Sequence, residues 1–128
     1  MSTDDTQRAF GFHLMLDCYR CAADKLDSID ACYSFLDQLV AVIGAEKQTQ
    51  PYVFRTPEHF IGKLGLSGWV PIVESGISIH TLTETKFVSL DVYSCRRFDN
   101  DTIIAFTREF FQPGEIETNF VLRGTKYA

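Results

Sequence analysis

The sequence predicts a single α+β domain, a two-layer sandwich in which a largely antiparallel sheet carries two helices on one face. Its 128 residues fit one domain, so we treat 1–128 as a single unit. Several stretches alternate apolar and polar residues, as half-buried strands do, and two others repeat apolar residues at helical spacing. Four of the predicted strands follow one another with no helix between them, which implies antiparallel pairing.

The first part of the chain predicts a strand, a helix, a second strand and a loop, at 10–16, 29–43, 46–54 and 55–68. The alternating face of the first strand comprises Phe10, Phe12, Leu14 and Leu16. The helical repeat comprises Cys32, Phe35, Leu36, Leu39, Val40 and Ile43. Ser28 can cap the start of this helix and Gly44 its end. The glycines of 55–68 indicate the loop.

The second part of the chain predicts three strands, a helix and a last strand, at 69–74, 77–82, 86–94, 100–111 and 115–122. Pro113 and Gly114 end the helix, because proline cannot continue it. The predicted order of elements is therefore β-α-β-β-β-β-α-β.

The composition excludes several classes of protein. A net charge of −5 is unfavourable for nucleic-acid binding, which needs clustered lysine and arginine. No apolar stretch approaches the ~18 to 20 residues that a membrane helix requires. The N-terminus, "MSTDDTQR", lacks the order of a secretory signal, so we expect a cytoplasmic protein.

The cysteines and histidines give little support to a metal site. Cys18 and Cys21 form one C-x-x-C pair, which is at best half of a zinc site. His13, His59 and His80 are far apart in the sequence. We therefore expect no metal, and we expect reduced cysteines that are buried or half-buried by packing.

The stretch "VESGISIHT", residues 73–81, holds the candidate chemistry. Glu74 and Ser75 precede Gly76, His80 follows five residues after the serine, and Cys95 stands twenty residues after it. Singly, each of these residues is typical of a turn or of ordinary packing. There is also no G-x-S-x-G elbow to indicate a serine hydrolase.

Taken together, these residues resemble the short prokaryotic S-adenosylmethionine decarboxylases, a family of pyruvoyl enzymes. The resemblance runs from "GFHLMLDCYRC" to "FVLRG", and its core is "GLSGWVPIVESGISIHTLTE" followed by "FVSLDVYSC". The positions that match the family's processing motif are Ser67, Glu74-Ser75, "SIHT" at 78–81, Glu84 and Cys95.

This resemblance implies that the chain cuts itself between Glu74 and Ser75, giving chains 1–74 and 75–128. The Ser75 hydroxyl would convert the peptide bond before it into an ester. Elimination and hydrolysis would then leave a pyruvoyl group made from Ser75 as the only cofactor. His80 would transfer protons in this processing, and Ser67 would assist it.

The resemblance also implies a substrate and an assembly. The pyruvoyl carbonyl would hold the α-amine of S-adenosylmethionine as a Schiff base and accept electrons as CO2 leaves. The product would be the aminopropyl donor for spermidine. Cys95 would return a proton to the substrate, and Glu84 would receive the ribose hydroxyls. The resemblance further implies a homodimer whose sites lie between or beside the protomers.

The pattern departs from the family at two places, which keeps other functions open. Gly76 stands where histidine is usual, and Leu82-Thr83 stand where an aromatic residue and a proline are usual. One alternative is a pyruvoyl-dependent arginine or ornithine decarboxylase. Another is an unprocessed, non-catalytic relative that binds a ligand or a paralogous subunit.

The spacing of Ser75 and His80 raises a geometric question. In a straight strand, residues five apart lie ~16 Å apart and on opposite faces. We therefore expect Glu74, Ser75 and Gly76 to form a corner between strands, where Gly76 permits residues 77–82 to fold back.

Overall fold

Six strands form one antiparallel sheet in the computed structural model, which describes residues 8–128. The polar N-terminal segment that we examined for a signal lies outside the described residues, except for Arg8. The elements are β1 (Gly11–Tyr19), α1 (Ile29–Val42), β2 (Tyr52–Arg55), β3 (Gly65–Ile72), β4 (Ser75–Leu82), β5 (Phe87–Ser94), α2 (Asn100–Phe111) and β6 (Glu115–Arg123). The predicted order of elements and the α+β class are confirmed.

The strands lie in the order β2-β3-β4-β5-β1-β6, so β2 and β6 are the two edges. Every neighbouring pair is antiparallel. Alternate residues of each strand point to opposite faces. One face, the helix face, carries the buried side chains of β1, β3, β4 and β5 that pack against α1 and α2. On the other face, which we call the open face, neither α1 nor α2 packs.

Both helices begin at a polar cap. Ser28 accepts a hydrogen bond from the Ala31 N–H at 3.0 Å, as the sequence predicts. Asp99 does the same for α2 through the Asp101 N–H at 3.2 Å. Between the helices, the Phe35 ring of α1 packs against three aromatic rings of α2 at centroid distances of 4.8 to 5.2 Å. These contacts join the helices over the sheet.

The largest boundary errors lie at the predicted strand 46–54, the predicted loop 55–68 and the predicted strand 69–74, which is β3 and runs from Gly65 to Ile72. The strand predicted at 46–54 is only Tyr52–Arg55, and residues 46–48 touch the sheet through a single bridge between Lys47 and Ile72. The loop ends before Gly65, where β3 begins. Gly68 is needed for packing, not for a turn, since a β-carbon there would lie 2.8 Å from the Leu36 side chain.

Within residues 8–128, no helix is long and apolar enough to cross a membrane.

Candidate active site

The Glu74–Ser75 bond lies at the corner between β3 and β4. β3 ends at Ile72, and β4 begins at Ser75 itself. Ser75 is paired with Ile72 on one side and with Ser94 of β5 on the other. The carbonyl oxygen of Glu74 accepts a hydrogen bond from the backbone N–H of Cys95 at 2.9 Å. The chain turns here as predicted, but at Val73 and Glu74, and Ser75 and Gly76, which we expected to share the corner, already belong to β4. Cys95 lies beside the bond that we expect to be cut.

The Glu74 side chain is also held at this corner. One carboxylate oxygen accepts the Glu46 N–H at 3.4 Å, and the other lies 3.7 Å from the Arg96 guanidinium. The Val73 N–H also donates to the Glu46 carbonyl at 2.9 Å. The Glu74 side chain is only 15% exposed, so these contacts restrict its conformation. Sequence reasoning missed Glu46 and Arg96, because nothing in the sequence indicates that residue 46 meets residue 74.

Ser67 and His80 form a second polar pair, on the open face. They stand directly opposite each other on β3 and β4, and the Ser67 Oγ lies 3.0 Å from the His80 Nδ1. An antiparallel pair brings opposite side chains together in this way without any turn or bend. The sequence predicted that both residues assist processing, and the structure brings them together.

The predicted approach of His80 to Ser75 within one chain is wrong. β4 keeps an unbroken register with both β3 and β5 from Ser75 to Leu82. Gly76 is not among the glycines with positive φ, so it makes no bend. Ser75 therefore points to the helix face and His80 to the open face, and they are separated by about 16 Å along the strand.

Gly76 makes room for Trp69. A β-carbon at position 76 would lie 3.1 Å from the Trp69 Nε1, so the indole ring of β3 crosses the strand at this point. Trp69 also stacks against Tyr52, with ring centroids 6.1 Å apart, and Tyr52 stacks against Phe54. These three rings, of which each is at least 45% exposed, form an aromatic row on the open face.

Two hollows on this side of the sheet correspond to the two polar groups. One has a volume of about 360 Å³ and is bordered by Ser75, Gly76 and Asp91. The other has a volume of about 480 Å³ and is lined by Tyr52, Phe54, Ser67, Gly68, Trp69, Ser78 and His80. Trp69 and Ser78 border both hollows. We call Ser75 and the other residues of the first hollow, together with Glu74 and Cys95, the cleavage half-site. We call the residues of the second hollow the histidine half-site.

The remaining predicted site residue, Glu84, lies in the exposed turn between β4 and β5. It follows Leu82 at the end of β4 that is nearer to His80 and farther from Ser75. In a single chain, Glu84 is therefore on the side of the histidine half-site.

The open face carries charged groups that sequence reasoning did not single out. The His13 Nε2 lies 2.9 Å from an Asp91 carboxylate oxygen. Burial, and then the neighbouring charges of Glu117 and Asp91, raise the pKa of the Asp17 carboxyl above its usual value. Asp17, Asp91 and Glu117 are far apart in the sequence and meet only because β5, β1 and β6 are adjacent.

The four cysteines divide into two kinds. Cys18, Cys21 and Cys32 are buried, whereas Cys95 is exposed. Burial raises the pKa of Cys18 to about 12 and the pKa of both Cys21 and Cys32 to about 11. Such thiols stay protonated and unreactive at neutral pH, which confirms the packing interpretation of the C-x-x-C pair. Among residues 8–128 no three histidine, cysteine or acidic side chains are grouped as metal ligands.

Comparison with known proteins agrees with this arrangement. The sequence profile described as S-adenosylmethionine decarboxylase matches residues 12–124. The chain belongs to this family. The S-adenosylmethionine decarboxylase proenzyme of Clostridium botulinum (strain Langeland) is 28% identical over 115 residues, which cover 89% of this chain and 94% of that protein. The proenzyme of a Thermoanaerobacter species is 32% identical over 87 residues, which cover 68% of this chain and 65% of that protein.

A solved relative of the S-adenosylmethionine decarboxylase family has the same fold. The crystal structure of the adenosylmethionine decarboxylase from Aquifex aeolicus superimposes with a TM-score of 0.77 at 25% identity. The match covers 91% of this chain and 92% of that one.

Proposed function

We propose that this protein cleaves itself between Glu74 and Ser75 into chains 1–74 and 75–128 and then decarboxylates S-adenosylmethionine. Its product would be the aminopropyl donor for spermidine synthesis in the cytoplasm. Membership of the decarboxylase family supports the activity. The single observation that carries the cleavage proposal is the hydrogen bond from the Cys95 N–H to the Glu74 carbonyl, one residue before a serine.

That hydrogen bond serves the first step of processing. When the Ser75 hydroxyl adds to the Glu74 carbonyl carbon, negative charge develops on the carbonyl oxygen. A backbone N–H that is already 2.9 Å from this oxygen stabilises that charge without reorganisation. The contacts of Glu46 and Arg96 with the Glu74 side chain hold the carbonyl in this direction.

The later steps need proton transfer. The C–N bond of the peptide breaks to give an ester, and the Ser75 nitrogen receives a proton. Loss of the Ser75 Cα proton then expels the Glu74 carboxylate from Cβ, and water replaces the nitrogen as ammonia leaves. An imidazole with a hydroxyl 3.0 Å from it, as in His80 and Ser67, suits these transfers at neutral pH.

Both half-sites are incomplete in one chain, which supports a homodimer with shared sites. His80 lies about 16 Å from Ser75 along β4, too far for direct proton transfer. Although the Ser75 side chain points to the helix face, Ser75 is the first residue of β4 and also borders the open-face hollow of Gly76 and Asp91. The histidine half-site borders the other open-face hollow. A second copy packed against this face can therefore supply its Ser67 and His80 to the cleavage half-site of the first. The exposed aromatic row would become buried in the same contact.

The residues around Ser75 fit a pyruvoyl group formed there. Such a group supplies a carbonyl that accepts electrons while carbon dioxide leaves an α-amino acid. The Cys95 N–H is in place to donate to a carbonyl oxygen at the cleavage half-site, and the exposed Cys95 thiol beside it can return a proton to the substrate carbon. Tyr52, Phe54 and Trp69 offer aromatic surfaces for an adenine ring, which compensates for Leu82. Glu84 would contact the ribose from the same copy as His80.

The hollows favour S-adenosylmethionine over a basic amino acid. A guanidinium or ammonium substrate needs a carboxylate partner, but none lines the hollow of about 480 Å³ beside His80. The next hollow, of about 380 Å³, is lined by the cations Arg55 and Lys63 as well as His80. Asp91 in the hollow beside Ser75 is the one feature that favours an arginine or ornithine decarboxylase.

Intact-mass spectrometry under reducing conditions tests the proposal. We expect two chains, 1–74 and 75–128, the second lacking its α-amine. Ser75→Ala should stay uncut, and Ser34→Ala, an α1 serine that lines neither hollow, should be cut normally. A wild-type chain that stays whole on prolonged incubation would exclude self-processing and leave the non-catalytic binding alternative. Carbon dioxide release from S-adenosylmethionine, compared with arginine and ornithine, then identifies the substrate.

A further inference from the structure

The outer edge of β6 is a long strand edge with no partner among the described residues. β6 pairs with β1 through nine consecutive residues, from Arg123 opposite Gly11 to Glu115 opposite Tyr19. No backbone hydrogen bond from residues 8–128 reaches its other side. An exposed row of N–H and C=O groups of this length can pair with another strand.

β6 lacks two of the features that usually prevent such pairing, although it carries the charged residues Glu115, Glu117 and Arg123. Its sequence, "EIETNFVLR", contains no proline, and its unbroken register leaves no bulge to twist the edge away. The C-terminal residues do not cover it, because they turn back toward the start of β1, where Tyr127 packs on Phe10. Phe120 and Val121 remain 37% and 43% exposed in the middle of the strand.

The residues of β6 are complementary to a second copy of the same strand. If two β6 strands pair antiparallel about Asn119, then Glu115 of each copy stands opposite Arg123 of the other. In the same register Ile116 meets Leu122. Phe120 faces Thr118 and lies diagonally next to the other Phe120, within reach of an aromatic ring. A two-fold contact requires this kind of self-complementarity.

The surface beside the edge can accept side chains from such a partner. Phe120 and Leu122 line a groove of about 460 Å³ between β6 and the start of α2, together with Phe12 and Phe98. The rings of Phe12 and Phe120 are stacked with centroids 6.5 Å apart. The other residues that line this groove are Arg97, Asp99, Asn100 and Asp101. A second β6 would cover the apolar side of the groove and satisfy the free backbone groups of the edge at the same time.

We propose that the outer edge of β6 pairs with β6 of a second copy, centred on Asn119, to form a continuous twelve-stranded sheet. This contact is independent of the enzyme activity and leaves the open face free. Together with an open-face dimer it would produce a tetramer of two edge-paired dimers.

Charge reversal at the ends of β6 tests the pairing. In Arg123→Glu the glutamate would face Glu115 of the partner twice in each pair, and in Glu115→Arg two arginines would face each other twice. Each single variant should raise the dissociation constant of this contact at least about tenfold at low salt, because two attractive pairs become repulsive. Sedimentation velocity or light scattering should then show half the wild-type mass.

Mixing the two single variants provides the decisive result. A chain with glutamate at both positions complements a chain with arginine at both, so the mixture should regain the wild-type mass. Rescue within one chain is impossible, since positions 115 and 123 lie about 27 Å apart along the strand. Arg20→Ala is the matched control, because it removes the intrachain pair of Arg20 with Glu115, 3.2 Å apart, without changing either residue of the proposed contact, and should leave the mass unchanged.

The proposal fails if the wild-type chain does not self-associate, if the single variants keep the wild-type mass, or if their mixture does not regain it. Circular dichroism of each single variant shows that a lower mass does not come from unfolding. The processing state of Ser75, read from the same samples by mass spectrometry, keeps failure of the edge contact separate from failure of the proposed enzyme activity.

Discussion

Co-expression of Ser75→Ala with His80→Ala tests whether the two half-sites complement each other between copies. The His80→Ala chain keeps its own cleavable serine, and the Ser75→Ala chain keeps the Ser67–His80 pair. Alone, neither should be cut at the normal rate. Together they can form one complete site in each mixed dimer, in which the Ser75→Ala chain assists cleavage of the other.

The size of the effect follows from the separation along β4. At about 16 Å, His80 cannot reach Ser75 of its own chain, so each Ser75 depends on the His80 of the partner copy. In a pure His80→Ala dimer neither copy offers an imidazole, and the cleavage rate should fall about 10²- to 10⁴-fold. Random pairing of equal amounts places about half of the His80→Ala chains in mixed dimers. About half of all His80→Ala chains, namely those in mixed dimers, should therefore be cut at the normal rate, and no Ser75→Ala chain should be cut.

Different affinity tags on the two chains allow intact-mass spectrometry to assign each fragment. The matched control is co-expression of His80→Ala with the double variant Ser75→Ala/His80→Ala, in which no copy has the imidazole and no cleavage is expected. If the first mixture is also uncut, or if His80→Ala alone is cut at the wild-type rate, the shared-site proposal is refuted.

Three further predictions follow from individual side chains. Because only one thiol per chain is exposed, native protein should react quickly with one equivalent of a thiol reagent, and Cys95→Ser should abolish that reaction while denaturation exposes the other three. Gly76→His should displace the indole of Trp69, the only tryptophan, and shift its fluorescence, whereas Lys126→His near the C-terminus should not. Asp17→Asn should raise the free energy of unfolding near neutral pH by less than about 1 kcal/mol. Because the pKa of Asp17 is raised in the folded state, the Asp17 carboxyl lowers the stability of the folded chain only above its ordinary pKa of 3.8, where the unfolded chain loses the proton first. Urea unfolding should therefore show a gain in stability for Asp17→Asn near neutral pH and none below pH 3.8. A gain that persists below pH 3.8 would contradict this reasoning.

The sequence by itself determined the order and type of the elements. Helical spacing from Cys32 to Val40, the cap at Ser28 and the alternation of β1 are local properties, so they survive in the folded chain. The family motif singled out Ser67 and His80 separately, but their pairing was not predicted, because Ser67 lies in β3 and not in the predicted loop. Sequence reasoning failed at the glycines of 65–68, which resemble a loop locally but lie in a strand beneath α1.

Only the tertiary structure decided how the site residues are arranged. Pairing with β3 on one side and β5 on the other holds β4 straight, so Ser75 and His80 face opposite sides of the sheet. The support of Glu74 by Glu46 and Arg96 depends in the same way on contacts between distant parts of the chain. A short motif specifies which groups are present, but the direction of each side chain depends on the strand register, which is set by long-range pairing and by burial of one face.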